Sequence, residues 1–297
     1  MGEESDKYQV KKSEEQGFDI QTAFDEVYSK KENDQEELDY YFRSYSNPGI
    51  HSEMLQDSVR TLAYKDSIMR NPHLFKDKVV LDIGCGTGIL SLFAADAGAS
   101  HVYAIDYASI AENAKEIVKE NSRDNITVMR GKVEEIELPV KEVDIIISEW
   151  MGYFLIYESM LDTVLFARDK WLKKGGLMFP DKAIMYMSAF EDEEFMDERV
   201  EFWNRVYGIN MTPMKDCVLR DGCVEIVNRE AINSNTQMIA DIDLQTCKVE
   251  DLDFASEFNL KFSRKDLFSG YVIWWDCVFS HCHVPLTLST SKYIMLI

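Results

Sequence analysis

The sequence predicts an α/β fold of 297 residues, a parallel sheet with helices on both faces followed by a mainly antiparallel β half. Three observations predict it. From Lys78 to Phe179, short apolar runs alternate with helical ones, the pattern of β-α-β units. The first run enters a glycine-rich turn. Beyond Pro180 the period shortens to that of strands, and few helical signals return.

Residues 1–36 are polar and charged with sparse apolar positions, and read as a flexible leader. Leu38, Tyr41, Phe42 and Tyr45 form an amphipathic stripe that Asn47-Pro48-Gly49 would end. A second helix is expected from Ser52, as its N-cap, to Asn71-Pro72. The alternation then runs strand 79–83, helix 89–97, strand 101–105, helix 110–118, strand 126–129, strand 143–147, helix 159–172 and strand 177–179 after Gly175-Gly176. This places a first domain over 37–180 and a second over 181–297, with strands near 183–190 and 222–227. Between those strands, residues 193–216 carry Phe195, Phe202, Trp203, Val206 and Tyr207 at helical spacing, as a cap or an arm that docks on another subunit.

A formal net charge of −21 disfavours direct contact with nucleic acid and either steers basic peptides towards the chain or serves solubility alone, a choice left to the motifs. No apolar run of membrane-spanning length occurs, so no membrane partner is expected. Six scattered cysteines read as reduced thiols of a nuclear or cytoplasmic protein. Cys277, His281, Cys282 and His283 are the candidate metal ligands, but neighbouring strand residues point to opposite faces, and no metal is expected.

Val79-Val80-Leu81-Asp82-Ile83-Gly84-Cys85-Gly86-Thr87-Gly88 is a buried strand running into a turn that lets backbone approach a nucleotide-like cofactor closely. Its Gly-x-Gly-x-Gly spacing has Ile89 where the dinucleotide fingerprint needs glycine, which demotes NAD. Asp106, at the end of the next strand, is placed to accept ribose hydroxyls. Asp82 would orient the loop or the ammonium end of the cofactor, and Glu134 would reach an adenine amine.

After the fourth strand, Ser148-Glu149-Trp150-Met151-Gly152-Tyr153-Phe154-Leu155-Ile156-Tyr157-Glu158 is aromatic-rich and carries two charges, both acidic. Two carboxylates in apolar surroundings repel each other and need a cation. Either a structural arginine such as Arg168 serves, or a guanidinium guest does. Arginine's planar fork fits carboxylates bidentately, and two acids can localise its charge on one nitrogen while another gains lone-pair character.

On these loops, together with Asp39-Tyr40-Tyr41-Phe42-Arg43-Ser44-Tyr45, Gly131 to Glu135, Phe166 to Leu172 and Lys248 to Leu252, the chain resembles type I protein arginine N-methyltransferases over residues 37–291, near the predominant eukaryotic form. The resemblance implies a Rossmann-type S-adenosylmethionine-dependent domain, a β-barrel-like domain and a helical arm near 202–216 that makes a homodimer. It implies that His51, Arg60, Gly84, Gly86, Asp106 and Glu134 bind S-adenosylmethionine, that Glu149 and Glu158 are catalytic, and that Tyr41, Tyr45, Met54 and Met160 shape the substrate pocket. The expected product is asymmetric dimethylarginine, alongside S-adenosylhomocysteine. The expected substrates are arginine-rich proteins such as histones and Arg/Gly-rich RNA-binding proteins, in nucleus and cytoplasm.

Two departures bear on this. Asp106 stands where many members have glutamate. After Ser289-Thr290-Ser291 the family continues through a Thr-His-Trp loop, whereas here Lys292 to Ile297 follow. A C-terminally truncated, incomplete barrel is therefore expected, with Asp57 lacking a histidine partner. The alternatives are an impaired form acting as a cofactor-binding or dimerising regulatory partner, and a methyltransferase for small molecules or nucleic acid, which the acidic charge disfavours.

Overall fold

A computed structural model describes residues 44–291 and the backbone of 294–296. The leader over 1–36, the stripe from Leu38 to Phe42 and the site candidate Tyr41 lie outside the described residues.

A helix stops at Ser44, and Asn47-Pro48-Gly49, expected to end it, also begins the next. Asn47 is the N-cap of α1 (Pro48–Gln56), accepting the Gly49 N–H, and Pro48 stands at N1, where its missing N–H costs nothing. Ser52 is consequently interior, and the single long helix expected from it is two. Asp57 breaks the run and caps α2 (Ser58–Met69), its side chain accepting from Val59 N and Arg60 N. A short α3 (Pro72–Phe75) leads into the sheet.

The alternating segment folds as read: β1 (Val79–Ile83), α4 (Ile89–Asp96), β2 (His101–Asp106), α5 (Ile110–Glu120), β3 (Ile126–Arg130), β4 (Val143–Ser148), α6 (Met160–Trp171) and β5 (Leu172–Phe179). The strands pair in parallel in the order β3-β2-β1-β4-β5. β1, β2 and β4 are buried on both faces, hence their near-continuous apolar runs. β5 starts earlier than the expected Leu177. Leu172 pairs with Val143, and the register then jumps to Leu177 opposite Ile145, so Lys173 to Gly176 bulge out. The strand order reverses between β1 and β4, which opens a crevice at their carboxyl ends.

The second half contributes β6 (Lys182–Phe190), β7 (Cys223–Glu225), β8 (Gln237–Asp243), β9 (Gly270–Phe279), β10 (Leu286–Ser289) and β11 (Ile294–Leu296). All pair antiparallel in the order β7-β11-β9-β6-β8, with β10 also on β9. β7 is shorter than the expected 222–227. The insert after β6 is broken helix: α7 (Glu193–Arg199), single turns at Glu201–Asn204 and Thr212–Met214, and α8 (Lys215–Val218). Phe202, Tyr207, Ile209 and Leu219 on it are exposed.

Ala183, Met185 and Met187 turn one face of the second sheet into the core that the first sheet also lines. Tyr64 packs edge-on against Phe279 with ring centroids 5.0 Å apart, and Phe75 against Phe179 at 5.1 Å. Arg168, buried on α6, donates to the carbonyls of Leu244 and Cys247 at 2.8 and 2.7 Å. The core thus runs unbroken across residue 180.

Candidate active site

The crevice between β1 and β4 is floored by the glycine turn. Gly84, Gly86 and Gly88 all have positive φ, at 70°, 54° and 85°, a conformation in which L side chains are strained. Space is short as well. A Cβ on Gly84 would lie 2.3 Å from Met160 Cε, and one on Gly86 would lie 3.2 Å from the His51 ring. Below the turn, buried Asp82 accepts the Ser91 hydroxyl at 2.6 Å on Oδ2, while Oδ1 has no partner. Burial pushes its carboxyl up to about 7.

Asp106 closes the turn from β2: Oδ2 accepts Gly86 N–H and Oδ1 accepts Ala108 N–H, both at 2.8 Å. Burial raises its pKa, and these two donors oppose the shift. Glu134, exposed in the single turn Val133–Glu135, accepts the Thr163 hydroxyl at 2.8 Å and so meets α6. A turn of bare backbone ringed by acids, with an orphaned buried carboxylate oxygen, fits a cofactor bearing hydroxyls and an ammonium group.

The acidic loop rises beside it. Its middle closes on itself, Gly152 N–H donating to Leu155 O at 2.9 Å and Leu155 N–H returning to Gly152 O at 3.0 Å. Phe154, Leu155 and Ser159 are non-glycine residues at φ 52°, 61° and 55°, each costing about 1–3 kcal/mol. Buried Trp150 and Leu155 hold that strain in place. Glu149 and Glu158 therefore stand at the two ends of a stiff loop.

Their partners differ. Arg60, from α2, donates to Glu149 Oε2 at 3.1 Å, both side chains about one-fifth exposed. Burial raises the Glu149 pKa, Arg60 opposes this, and the nearby Glu158 charge reinforces it. Glu158 accepts the Tyr45 hydroxyl at 2.9 Å, and the Tyr45 carbonyl meets His51 Nε2 at 2.8 Å. Tyr45, His51 and Gly86 thus connect the acidic loop to the glycine turn. Arg168 does not neutralise the pair; its donors go to Leu244, Cys247 and Asp169.

The structure gathers Tyr45, His51, Arg60, Asp82, Gly84, Gly86, Asp106, Glu149, Glu158 and Met160 around one crevice. Met54 lies half-buried on α1, three residues after His51. Sequence reasoning missed two residues. Tyr64, one turn after Arg60 on α2, donates its buried hydroxyl to Ser148 O at 2.9 Å and so fixes the residue before Glu149. Gly152 lies against Glu158, where a Cβ would be 2.7 Å from Cγ. The i, i+4 spacing to Arg60 could have marked Tyr64; nothing local marks Gly152. Among the described residues no cluster of three or more His, Cys, Asp or Glu side chains is arranged to hold a metal.

Two family models match the chain, one described as a methyltransferase domain over residues 80–176 and one as the arginine methyltransferase oligomerization subdomain over 181–295. The chain is 54% identical to protein arginine N-methyltransferase 1 of Schizosaccharomyces pombe over 256 residues, covering 86% of this chain and 75% of that one. It is 52% identical to the protein of that name from Chlamydomonas reinhardtii, covering 88% and 76%. Among solved structures it resembles the Trypanosoma brucei PRMT1 enzyme-prozyme heterotetrameric complex with AdoHcy, at TM-score 0.81 and 45% identity over 85% of this chain and 82% of that one.

Proposed function

Since the chain belongs to the protein arginine N-methyltransferase family, we propose that Glu149 and Glu158 grip the guanidinium of a substrate arginine beside a cofactor seated on the Gly84–Gly88 turn. The activity is S-adenosylmethionine-dependent methylation of protein arginine, of type I. The observation that carries the residue assignment is the stiff loop with a carboxylate at each end, one on Arg60 and one on Tyr45.

When bound, S-adenosylmethionine supplies an electrophilic sulfonium methyl and leaves as S-adenosylhomocysteine. Arg60 would hold its carboxylate, Asp82 its ammonium group, Asp106 the ribose and Glu134 the adenine amine, with His51 and Gly84 lining the site. Glu149 and Glu158 localise the guanidinium charge on one nitrogen and leave another, turned to the crevice, with more lone-pair character. Tyr45, by donating to Glu158, keeps that carboxylate from swinging away. As the methylated nitrogen loses its proton, Glu149 is suited to accept it, because burial has already raised its pKa. Met160, which leans on Gly84, and Met54 would limit the room left around the nitrogen, consistent with asymmetric dimethylarginine as product.

The acidic charge supports arginine-rich proteins such as histones and Arg/Gly-rich RNA-binding proteins as substrates. The exposed apolar side chains of the 202–216 arm support a homodimer through it. The test is transfer of labelled methyl from S-adenosylmethionine to a Gly-Arg-Gly repeat peptide. Turnover is expected to fall by about 10³-fold in Glu149→Gln. Undiminished turnover in that variant, or equal labelling of a lysine peptide, would overturn the assignment.

A further inference from the structure

The insert between β6 and β8 is tied to the second sheet at two places. Its base is closed by the main chain, Glu191 N–H donating to Ala231 O at 2.9 Å and Asn233 N–H to Ala189 O at 3.0 Å, around the bridge of Phe190 with Ile232. Beside this base a small apolar contact forms, where Phe195, Cys223 and Val227 pack over Phe190 and Val272. The second tie is β7. Of its three residues Cys223 is half-buried and Val224 and Glu225 are exposed, so side-chain burial holds it weakly.

What holds β7 is β11. Ile294, Met295 and Leu296 pair with Glu225, Val224 and Cys223 on one side, and Met295 and Leu296 pair with Ile273 and Val272 of β9 on the other. Among the described residues β7 has no other strand neighbour. Adjacent strands lie about 4.8 Å apart, so β7 stands about 10 Å from β9 with β11 filling the gap. Were β11 absent, β7 would lose its whole ladder and could reach β9 only by moving a full strand spacing. The insert would then hang from its base, free to turn about the bonds of Ala189 and Glu191.

We propose that the strand Ile294–Leu296 is a clasp that fixes the far side of the insert to the second sheet, and that dimerisation through the 202–216 arm depends on this clasp. The proposal rests on the reading of that arm as the dimer contact. Phe202, Tyr207 and Ile209 are exposed on a segment built of single turns, which are marginal in water and do not hold a direction by themselves. Attachment at two points sets that direction before a second copy arrives, which removes part of the ordering cost of association.

The test is hydrogen exchange in peptides spanning 223–225 together with sedimentation equilibrium, on the full chain, on Met295→Pro and on a chain stopped after Ser291. Met295 lies in a strand paired on both sides, where proline removes a ladder donor that an edge strand could spare. Both variants are expected to speed exchange at 223–225 by about tenfold or more and to weaken the dimer about tenfold. Binding of S-adenosylhomocysteine and exchange in β1 are expected to stay at parental values, because the crevice lies on the first sheet. Parental exchange at 223–225 in both variants would overturn the clasp, and faster exchange with a parental dimer constant would overturn its role in assembly. A parent that sediments as a monomer would sink the arm reading instead, while exchange at 223–225 still decides whether β11 holds β7.

Discussion

Replacing Gly152 with alanine tests whether the acidic loop works by seating Glu158. The new Cβ would meet Glu158 Cγ at 2.7 Å and Cδ and Oε1 at 3.0 Å, against an ordinary contact of at least 3.4 Å. Glu158 must therefore shift by about 0.7 Å, enough to stretch or break its 2.9 Å bond from Tyr45. Misplacing a catalytic group by about 1 Å costs on the order of 100-fold, so kcat is expected to fall by about 30- to 100-fold. Stability should fall by no more than about 2.6 kcal/mol. The backbone of Gly152 is not in the left-handed region, so overpacking of about 1–3 kcal/mol is partly offset by about 0.4–1 kcal/mol from a less flexible unfolded chain. The assay is methyl transfer to an arginine peptide, with thermal unfolding and titration of S-adenosylhomocysteine alongside. Retained kcat would refute the role given to Gly152. A parallel loss of cofactor affinity would refute it too, because the damage would then have spread beyond Glu158.

Two further predictions concern groups outside that loop. Asp82, held near 7 when folded against an ordinary 3.8, binds more protons in the folded than in the unfolded state between those values. Its contribution is therefore fully present below about pH 4 and is lost as pH rises through about 7, by at most about 4 kcal/mol. Asp82→Asn should gain stability relative to the parent as urea midpoints are taken from pH 5 to pH 8; a pH-independent difference would contradict the assignment. Arg168→Met removes charged donors from the Leu244 and Cys247 carbonyls and should cost about 3 kcal/mol, a fall of about 6–12 °C in Tm. Cofactor affinity should be unchanged, and calorimetry with the same titration checks both.

Much of this protein was legible in its sequence because the signals are local. The β1 run, the glycines and Ile89 fix a strand, a left-handed turn and a helix start within about ten residues, and the structure has all three at those positions. The pairing of Glu149 and Glu158 was legible for the same reason, since one loop carries both. Local signals misled where a residue has two uses. Asn47-Pro48-Gly49 both follows a helix end at Ser44 and starts the next helix, with Asn47 in place of Ser52 as its cap, and Asp57 then begins another.

What only the tertiary structure decided are the partners of those acids. Arg60 lies 89 residues before Glu149, and Tyr45 lies 113 before Glu158, separations over which no periodicity operates. They meet because the strand order reverses between β1 and β4, setting the end of β4 beside the turn after β1 and under the helices that precede both. Gly152 acquires its meaning only from the folded Glu158 side chain. The sequence by itself determined which elements form and which chemistry they carry; the long-range pairing of strands determined which charges face each other, because that is set by where the whole core closes and not by any neighbour along the chain.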